Sequence, residues 1–352
     1  MKQVAAVLFC CAAAAGSAGF RHERIFGPEV PTGPYKHPAC VTELANGDLY
    51  LVYYGGGGEY ETDTAVFGSR RKSGAAKWSP PVPIAKDPFR SAGNGVIWQA
   101  PDGVVWLFYV VRYGETWSDS RIHVKISRDQ GETWSDSSVL ALEAGMMVRN
   151  RPILLTSGEY LLPVYHETGH DTEMVGPEST SLFLIYDPRK KAWTRSAPIR
   201  SPKGNIQPAP AEIAPGHVVA YCRRGGGYGP GTEGFLIRAE SRDGGRTWSE
   251  GRDSAFPNPN SAIDFLKLRS GRLLLVYNDS PTERTPLTAA ISEDGDRTYR
   301  YRRNLAEGRN SFAYPVAVQT RDGKIHVVYT SDKRTVIHRV TFDEAWVMQG
   351  GR

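Results

Sequence analysis

Six short apolar stretches of the chain each begin with a polar or phenolic side chain that can make hydrogen bonds. Each of these side chains stands 7 to 11 residues before a glycine that follows Asn, Asp, Ser or Pro. The residues are His37, Asn94, Asn150 with Arg151, Gln207, Asn260 and Tyr314. Polar groups gathered on an apolar frame are typical of ligand sites. We therefore predict one site here, provided that the fold brings the six positions together.

A second cluster, His166-Glu-Thr-Gly-His170, has the spacing of a zinc-protease motif. That chemistry needs both histidines on one face of a helix. Here the pattern follows the strand-like run YLLPVY and contains Gly169, so we predict no zinc site. We interpret His166 and Glu167 as substrate contacts at the edge of the site. The glycine runs 55–58 and 225–227 lack the features of a phosphate loop, and we expect no cofactor and no metal.

The elements that must position these residues form an internal repeat. A Gly-containing turn precedes a β-rich run six times, as in Asn46-Gly47 before DLYLVYY and Asp322-Gly323 before KIHVVY. The six glycines are Gly47, Gly103, Gly158, Gly216, Gly271 and Gly323, at spacings of 56, 55, 58, 55 and 52 residues. Each is predicted to lie in a hairpin turn between two strands.

A second motif recurs in step with the first. The segments Ser127–Trp134 and Ser241–Trp248 share the pattern SRDxGxTW, and Ser292–Tyr299 is a weaker copy. Trp78 and Trp193 keep the aromatic position in two further units. We interpret the Asp as the cap of a tight turn and the aromatic ring as packing between neighbouring sheets. This favours a structural role over a metal or sugar loop.

Six units of about 55 residues, with about four short strands each, predict an all-β, six-bladed β-propeller. Glycine and proline, 37 and 24 residues, exceed their usual share and favour turns over long helices. The segment Arg21–Glu29 is expected to join the last blade and close the ring. Residues 19–352 are predicted to form one propeller domain.

The SxDxGxTW segments on six units resemble the sialidase (neuraminidase) superfamily and its Asp-box, or BNR, repeats. The stretches NIQPAPAEI, NPNSAIDFLKL and FAYPVAVQTRDGKIHVVYT are similar to secreted bacterial BNR-repeat proteins described as sialidase-like. This resemblance implies an exo-acting glycoside hydrolase that removes a terminal acidic sugar. It also implies a cluster of three arginines for the substrate carboxylate, a nucleophilic Tyr activated by a Glu, and an Asp as general acid.

Position by position, the resemblance implies that Tyr314 is the nucleophile and Arg284 is the third arginine. Asp63 or Glu61 takes the place of the general acid, and Glu59 lies in the same loop. A carboxylic acid in that role needs a raised pKa, which a like-charged neighbour or partial burial can provide.

The chain departs from the family pattern at three positions. His37, beside Lys36, stands in the place of the first arginine, and Gln207 replaces the Glu that would activate the tyrosine. Leu236 stands in the place of the second arginine, and Arg238, Arg223 and Arg224 are the candidates to substitute for it. Arg151 and Arg334 are further candidates to meet a carboxylate. Asn150 and Asn260 are candidate sugar contacts.

These departures leave three functions open. In the first, the protein is a glycoside hydrolase whose substrate carries a terminal acidic sugar, either sialic acid or a related 2-keto or uronic sugar. Alternatively, His37 and Tyr314 act as base and acid in β-elimination from a uronic-acid polymer, as in propeller-type polysaccharide lyases. The third alternative is a glycan-binding propeller without catalysis.

The net charge and the N-terminal sequence limit the kinds of partner and the location that we expect. The formal net charge of +5 is spread along the chain, which predicts no nucleic-acid binding and mildly favours an anionic ligand such as an acidic glycan. Residues 1–18 read as a signal peptide, and nothing later is apolar enough to cross a membrane. We expect a secreted or periplasmic monomer; a lipid anchor at Cys10 or Cys11 is the weaker alternative. Cys40 and Cys222 are interpreted as buried small hydrophobes.

Overall fold

A computed structural model of the chain describes residues 19–168 and 175–350. The predicted signal peptide, residues 1–18, lies outside the described residues. Strand β1 (Arg21–Phe26) comes first in the chain but belongs to the last sheet, as described below. In the described ranges, no helix has the length and apolar character required to pass through a bilayer.

The first three sheets follow one another along the chain, and each runs from the channel to the outer wall. The first sheet contains β2 (Tyr35–Glu43), β3 (Leu49–Gly56), β4 (Ala65–Arg71) and β5 (Val82–Ala85). The second contains β6 (Ala92–Gln99), β7 (Val105–Arg112), β8 (Ser120–Ser127) and β9 (Ser138–Ala141), with a 3-10 helix at Trp117–Asp119. The third contains β10 (Met146–Val148), β11 (Ile153–Leu154), β12 (Tyr160–His166), β13 (Thr180–Asp187) and β14 (Ala192–Arg195).

The remaining three sheets complete the ring. The fourth contains β15 (Asn205–Ala214), β16 (His217–Arg224), β17 (Phe235–Ser241) and β18 (Arg252–Pro257). The fifth contains β19 (Asp264–Lys267), β20 (Leu273–Asn278), β21 (Leu287–Ser292) and β22 (Tyr301–Ala306). The sixth contains β23 (Ala313–Gln319), β24 (Ile325–Ser331) and β25 (Val336–Phe342), and a short helix α1 (Glu344–Met348) follows.

The predicted six-bladed β-propeller and its closure are confirmed. Every sheet is antiparallel, and β1 pairs with β25 so that the start of the chain completes the sixth blade. The innermost strands contact each other around the ring, as in the pairs β2–β6, β15–β19, β19–β23 and β23–β2. Because each innermost strand starts at the same face of the ring, side chains from distant segments meet at one mouth of the channel.

Both repeated motifs form the turns that the sequence predicts. The six turn glycines have φ between +74° and +89°, a region that residues with a Cβ rarely adopt. In the first Asp-containing turn, the Ser127 hydroxyl donates to Asp129 at 2.7 Å and the Thr133 amide donates to the same carboxylate at 2.9 Å. The segments starting at Ser241 and Ser292 repeat these contacts.

The aromatic residue of each Asp-containing turn packs against the preceding blade. Trp248 stacks on Phe183 with ring centroids 4.6 Å apart, and Trp134 meets Tyr50 edge-on at 6.3 Å. These rings seal the apolar layers between blades. Cys40 and Cys222 are buried and free, as the interpretation of them as small hydrophobes predicts.

Candidate active site

The innermost strands begin with residues in an unusual backbone conformation. Asn94, Gln207, Asn260 and Tyr314 have φ between +48° and +56°. Positive φ is uncommon for residues other than glycine, and such conformations cluster at functional sites. Strand pairing shifts by a bulge at Asn94, Gln207 and Tyr314, and also at His37. Bulges redirect side chains, and here they accompany a group of side chains that faces the channel mouth.

The side chains from these strand starts line a partly open hollow together with residues from the connecting loops. Its polar and aromatic lining is His37, Glu59, Asn94, Trp117, Tyr165, Glu167, Gln207, Arg223, Tyr228, Tyr314 and Arg334. These residues come from every blade except the fifth. The hollow therefore exists only when the ring is closed.

Tyr314 lies at the centre of the polar contacts. Nη1 of Arg223 donates to its hydroxyl oxygen at 3.0 Å, and Nε2 of Gln207 approaches the same oxygen at 3.4 Å. The guanidinium groups of Arg149 and Arg284 lie 5.3 and 5.7 Å from the ring centroid. Burial raises the pKa of Tyr314, but the positive charges of Arg223, Arg334 and Arg284 outweigh it and lower the pKa overall. The surrounding charges therefore stabilise the phenolate of Tyr314 more than water would.

His37 packs edge-on against the Tyr314 ring, with ring centroids 4.2 Å apart. Its Nδ1 is 2.7 Å from the Thr330 hydroxyl, and its Nε2 has no hydrogen-bond partner among the described residues. Burial, together with the charges of Arg334 and Arg284, holds the pKa of His37 well below its usual range. The imidazole is therefore neutral at neutral pH and leaves one nitrogen for a ligand.

Two arginines are held in fixed orientations at the hollow. Arg223 donates from Nε to the Asn260 side-chain oxygen at 2.6 Å, and from Nη2 to the hydroxyl of Tyr228. Arg334 pairs with Glu59 and donates to the Tyr35 hydroxyl at 3.0 Å. Fork-shaped guanidinium groups in such networks suit the recognition of a carboxylate.

Comparison with known proteins identifies the family of the chain. The family model described as BNR repeat-like domain matches residues 47–327, most of the chain. The chain belongs to the BNR repeat-like family. The match confirms the predicted relation to sialidase-like propellers with BNR repeats. No curated protein sequence matches the chain.

Solved structures share the fold of this BNR repeat-like chain at low identity. A Hadza microbial sialidase superposes with a TM-score of 0.75 at 17% identity, over 89% of this chain and 66% of that one. A protein of unknown function from Dyadobacter fermentans gives 0.74 at 18% identity, over 93% and 100%. An α-L-arabinofuranosidase from Fusarium graminearum gives 0.69 at 15% identity, over 94% and 99%.

The loop 59–63 of this BNR repeat-like propeller carries three carboxylates, and only one of them lines the hollow. Glu59 lines the hollow, as does Glu167 from the loop after β12. Glu61 and Asp63, the predicted candidates for the general acid, are exposed, and neither is among the residues that line the hollow. Asp63 instead accepts a hydrogen bond from the Gly57 amide at 3.0 Å. Glu59 and Glu167 are therefore the acidic residues that line the hollow.

Three predicted substrate contacts lie elsewhere or act indirectly. Arg238 forms an ion pair with Asp296 at 2.8 Å, on the third strand of its blade, and is not at the hollow. Arg151 donates to the Ala317 carbonyl and also lies outside the hollow. Asn150 is buried and donates to the Pro208 carbonyl at 2.9 Å, so it joins two innermost strands.

Sequence reasoning missed several residues of the site. Arg149, rather than the predicted Arg151, packs on the Tyr314 ring. Its position in the sequence next to the predicted site residue Asn150 could have identified it. Tyr228 lies on the glycine-rich loop after Arg224, and this position was the only sequence feature that indicated it.

His166 ends strand β12 and bonds to the Ala144 carbonyl at 2.9 Å, whereas His170 of the HExxH pattern lies outside the described residues.

Proposed function

We propose that the protein is an exo-acting glycoside hydrolase that removes a terminal acidic sugar from glycans, with Tyr314 as the nucleophile. The observation that carries this proposal is the Arg223–Tyr314 contact of 3.0 Å in a partly open hollow, where surrounding arginines lower the tyrosine pKa. The structural neighbours include a sialidase and an α-L-arabinofuranosidase, which supports a glycosidase reaction on this fold.

The chemistry follows from these groups. The Tyr314 phenolate attacks the anomeric carbon while the bond to the leaving oxygen breaks, and the carboxylic acid of Glu167 gives that oxygen its proton. Glu59 forms an ion pair with Arg334 and is not assigned this role. Water then cleaves the glycosyl–tyrosine bond and returns a proton to the carboxylate. Gln207 cannot accept a proton, so the arginine charges take over the activation that a neighbouring base would otherwise provide.

The substrate class follows from the charge around Tyr314. Arg223, Arg284 and Arg334 surround the tyrosine, and Arg149 lies behind its ring. This excess of positive charge over Glu59 and Glu167 favours a sugar that carries a carboxylate. Sialic acid and related 2-keto or uronic sugars satisfy that requirement.

The test is a panel of acidic glycans incubated with the purified protein, with products identified by mass spectrometry. We expect release of a free terminal acidic sugar and loss of release in Tyr314→Phe, which keeps the ring that packs on His37. Binding of the panel without any product would contradict the hydrolase and support a glycan-binding propeller.

A second candidate function rests on the unpartnered Nε2 of His37. A neutral, buried imidazole beside a phenol could remove a proton from a uronic sugar while Tyr314 protonates the leaving oxygen. The product would be an unsaturated uronate, which absorbs in the ultraviolet. Its appearance, and its loss in His37→Gln, would replace the hydrolase with a lyase.

We also propose that the protein acts outside the cytoplasm as a monomer. The apolar run after Lys2 and the small residues before position 19 support export. Detection of the mature N-terminus by mass spectrometry in a secretion-competent host tests this point, and retention of residues 1–18 would contradict it.

A further inference from the structure

Two consecutive arginines at the end of strand β16 serve different surfaces. Arg223 lines the hollow, whereas Arg224 lines a separate groove on the fourth blade, next to the segment that leads into this blade. Successive side chains of a strand point to opposite faces, which explains the split. Both residues pair with the start of β15, at the channel-mouth face of the ring. The groove therefore begins close to the hollow, on the same face.

Arg224 is buried, at 3% exposure, with an incomplete set of hydrogen bonds. Its Nε donates to the Asn258 carbonyl at 2.6 Å, and Nη1 donates to the Gly225 carbonyl at 2.9 Å. Within ranges 19–168 and 175–350, Nη2 has no partner. An unsatisfied buried donor is costly, and the residue that carries it forms part of the groove wall.

The rest of the groove has the chemistry of a sugar subsite. Its volume is about 480 Å³, and its wall includes the Phe235 side chain, which is 43% exposed. An exposed aromatic ring provides a surface for the C–H face of a pyranose, and the neighbouring polar groups provide hydrogen bonds to hydroxyls.

The charges of the groove differ from those of the hollow. The cations Lys203, Arg224 and Arg252 are matched by the acids Glu233, Glu250 and Asp253. Because the charges balance in number, the groove has no general preference for an anionic sugar. Carboxylates and guanidinium groups together can accept from and donate to the hydroxyls of a neutral sugar.

One loop connects the two surfaces. The segment 225–234 joins β16 to β17, and its Tyr228 lines the hollow while Glu233 and Gly234 line the groove. A glycan that occupies both surfaces would cross this loop.

We propose that this groove on the fourth blade is a second carbohydrate subsite, which binds a neutral pyranose of the same glycan through Phe235 and Arg224. This inference rests on the proposed function for its choice of a glycan as ligand. It specifies the substrate as an acidic sugar attached to neutral sugars, rather than a uniformly acidic polymer.

The test measures binding without turnover. Neutral oligosaccharides of galactose, mannose or xylose are titrated by calorimetry into Tyr314→Phe protein, and again with Phe235→Ala added. We expect at least one of them to bind, and Phe235→Ala to raise its Kd about fivefold to tenfold. Phe89→Ala is the matched control, because Phe89 is 77% exposed and lies outside the groove. It should leave Kd unchanged.

A kinetic arm separates this inference from the proposed hydrolase. On an acidic oligosaccharide with a neutral stem, Phe235→Ala should raise KM, whereas a small aryl glycoside of the same acidic sugar should be unaffected. If no glycan is cleaved but neutral sugars bind through Phe235, the hydrolase fails and the subsite stands. If no neutral oligosaccharide binds, or Phe235→Ala and Phe89→Ala behave alike, the subsite is overturned.

Discussion

The Asp-containing turns on the rim and the strand starts at the channel mouth are both repeated features, but they use repetition in opposite ways. In the turns, Asp129, Asp243 and Asp294 make the same contacts to a Ser and a Thr. At the mouth, equivalent positions hold His37, Gln207 and Tyr314, along with different polar residues. Identical chemistry at every turn supports the fold, whereas different chemistry at equivalent strand starts builds one asymmetric site.

This difference predicts that substitutions at the mouth affect catalysis and that substitutions in the turns affect stability. The largest effect after the loss of Tyr314 concerns the general acid. Because Glu167 lines the hollow and is proposed as the acid, Glu167→Gln should lower kcat/KM by about 10²- to 10⁴-fold. The loss should be much smaller on a substrate with an aryl leaving group, which needs little protonation. Steady-state kinetics on both substrates measures this.

The exposed acids of the loop 59–63 provide the control. Glu61→Gln and Asp63→Asn should leave both substrates nearly unaffected, because these side chains do not line the hollow. A loss confined to Asp63→Asn would instead assign the acid to the position that the family resemblance implies, and would require the loop to move.

A smaller effect concerns the pH dependence of the nucleophile. The charge of Arg223 lowers the Tyr314 pKa, so Arg223→Gln should raise that pKa. The phenolate is the reactive form, and the rising limb of kcat against pH should therefore move to higher pH. Tyrosinate absorbance, measured against Tyr314→Phe, reports the same shift directly. Arg223→Lys keeps the charge and should move the limb less; an unchanged limb in Arg223→Gln would contradict electrostatic activation.

The smallest effect belongs to the turns. Asp243→Ala should lower the free energy of unfolding by about 1 kcal/mol, because the hydrogen bonds that it removes lie at the surface. Activity at saturating substrate should stay normal. Chemical denaturation measures the loss, and Asp136→Ala, an exposed aspartate after the Trp134 turn, is the control. A loss of activity without a loss of stability would contradict a purely structural turn.

The same aspartate also predicts a stability change with pH. Burial opposes ionisation of Asp243, but hydrogen bonds from Ser241 and Thr247 outweigh it and lower the pKa to about 2. A depressed folded-state pKa gives stability that is present above the unfolded value near 4 and is lost as pH falls towards 2. The difference in stability between wild type and Asp243→Ala should therefore shrink over that interval.

The fold and the strand-start residues could be predicted because turn spacing sets the register of every innermost strand. That register correctly brought His37, Gln207 and Tyr314 together from positions far apart in sequence. Strand alternation gives the face of the sheet on which Arg238 lies but not its distance from the channel. Arg238 is on the third strand of its blade, about 10 Å from the channel-lining strand, and so does not line the hollow. Tyr228 and the order of Glu59, Glu61 and Asp63 depend on loop conformation, which no periodic pattern encodes.

The most direct test of the central claim is to trap the reacting group. A fluorinated acidic-sugar substrate with a good leaving group slows the second step, so a glycosyl–enzyme intermediate accumulates. Peptide mass spectrometry of the wild-type protein should locate one glycosyl adduct on Tyr314, and Tyr314→Phe should carry none. An adduct on another residue, or rapid turnover of ordinary substrate by Tyr314→Phe, would contradict the account.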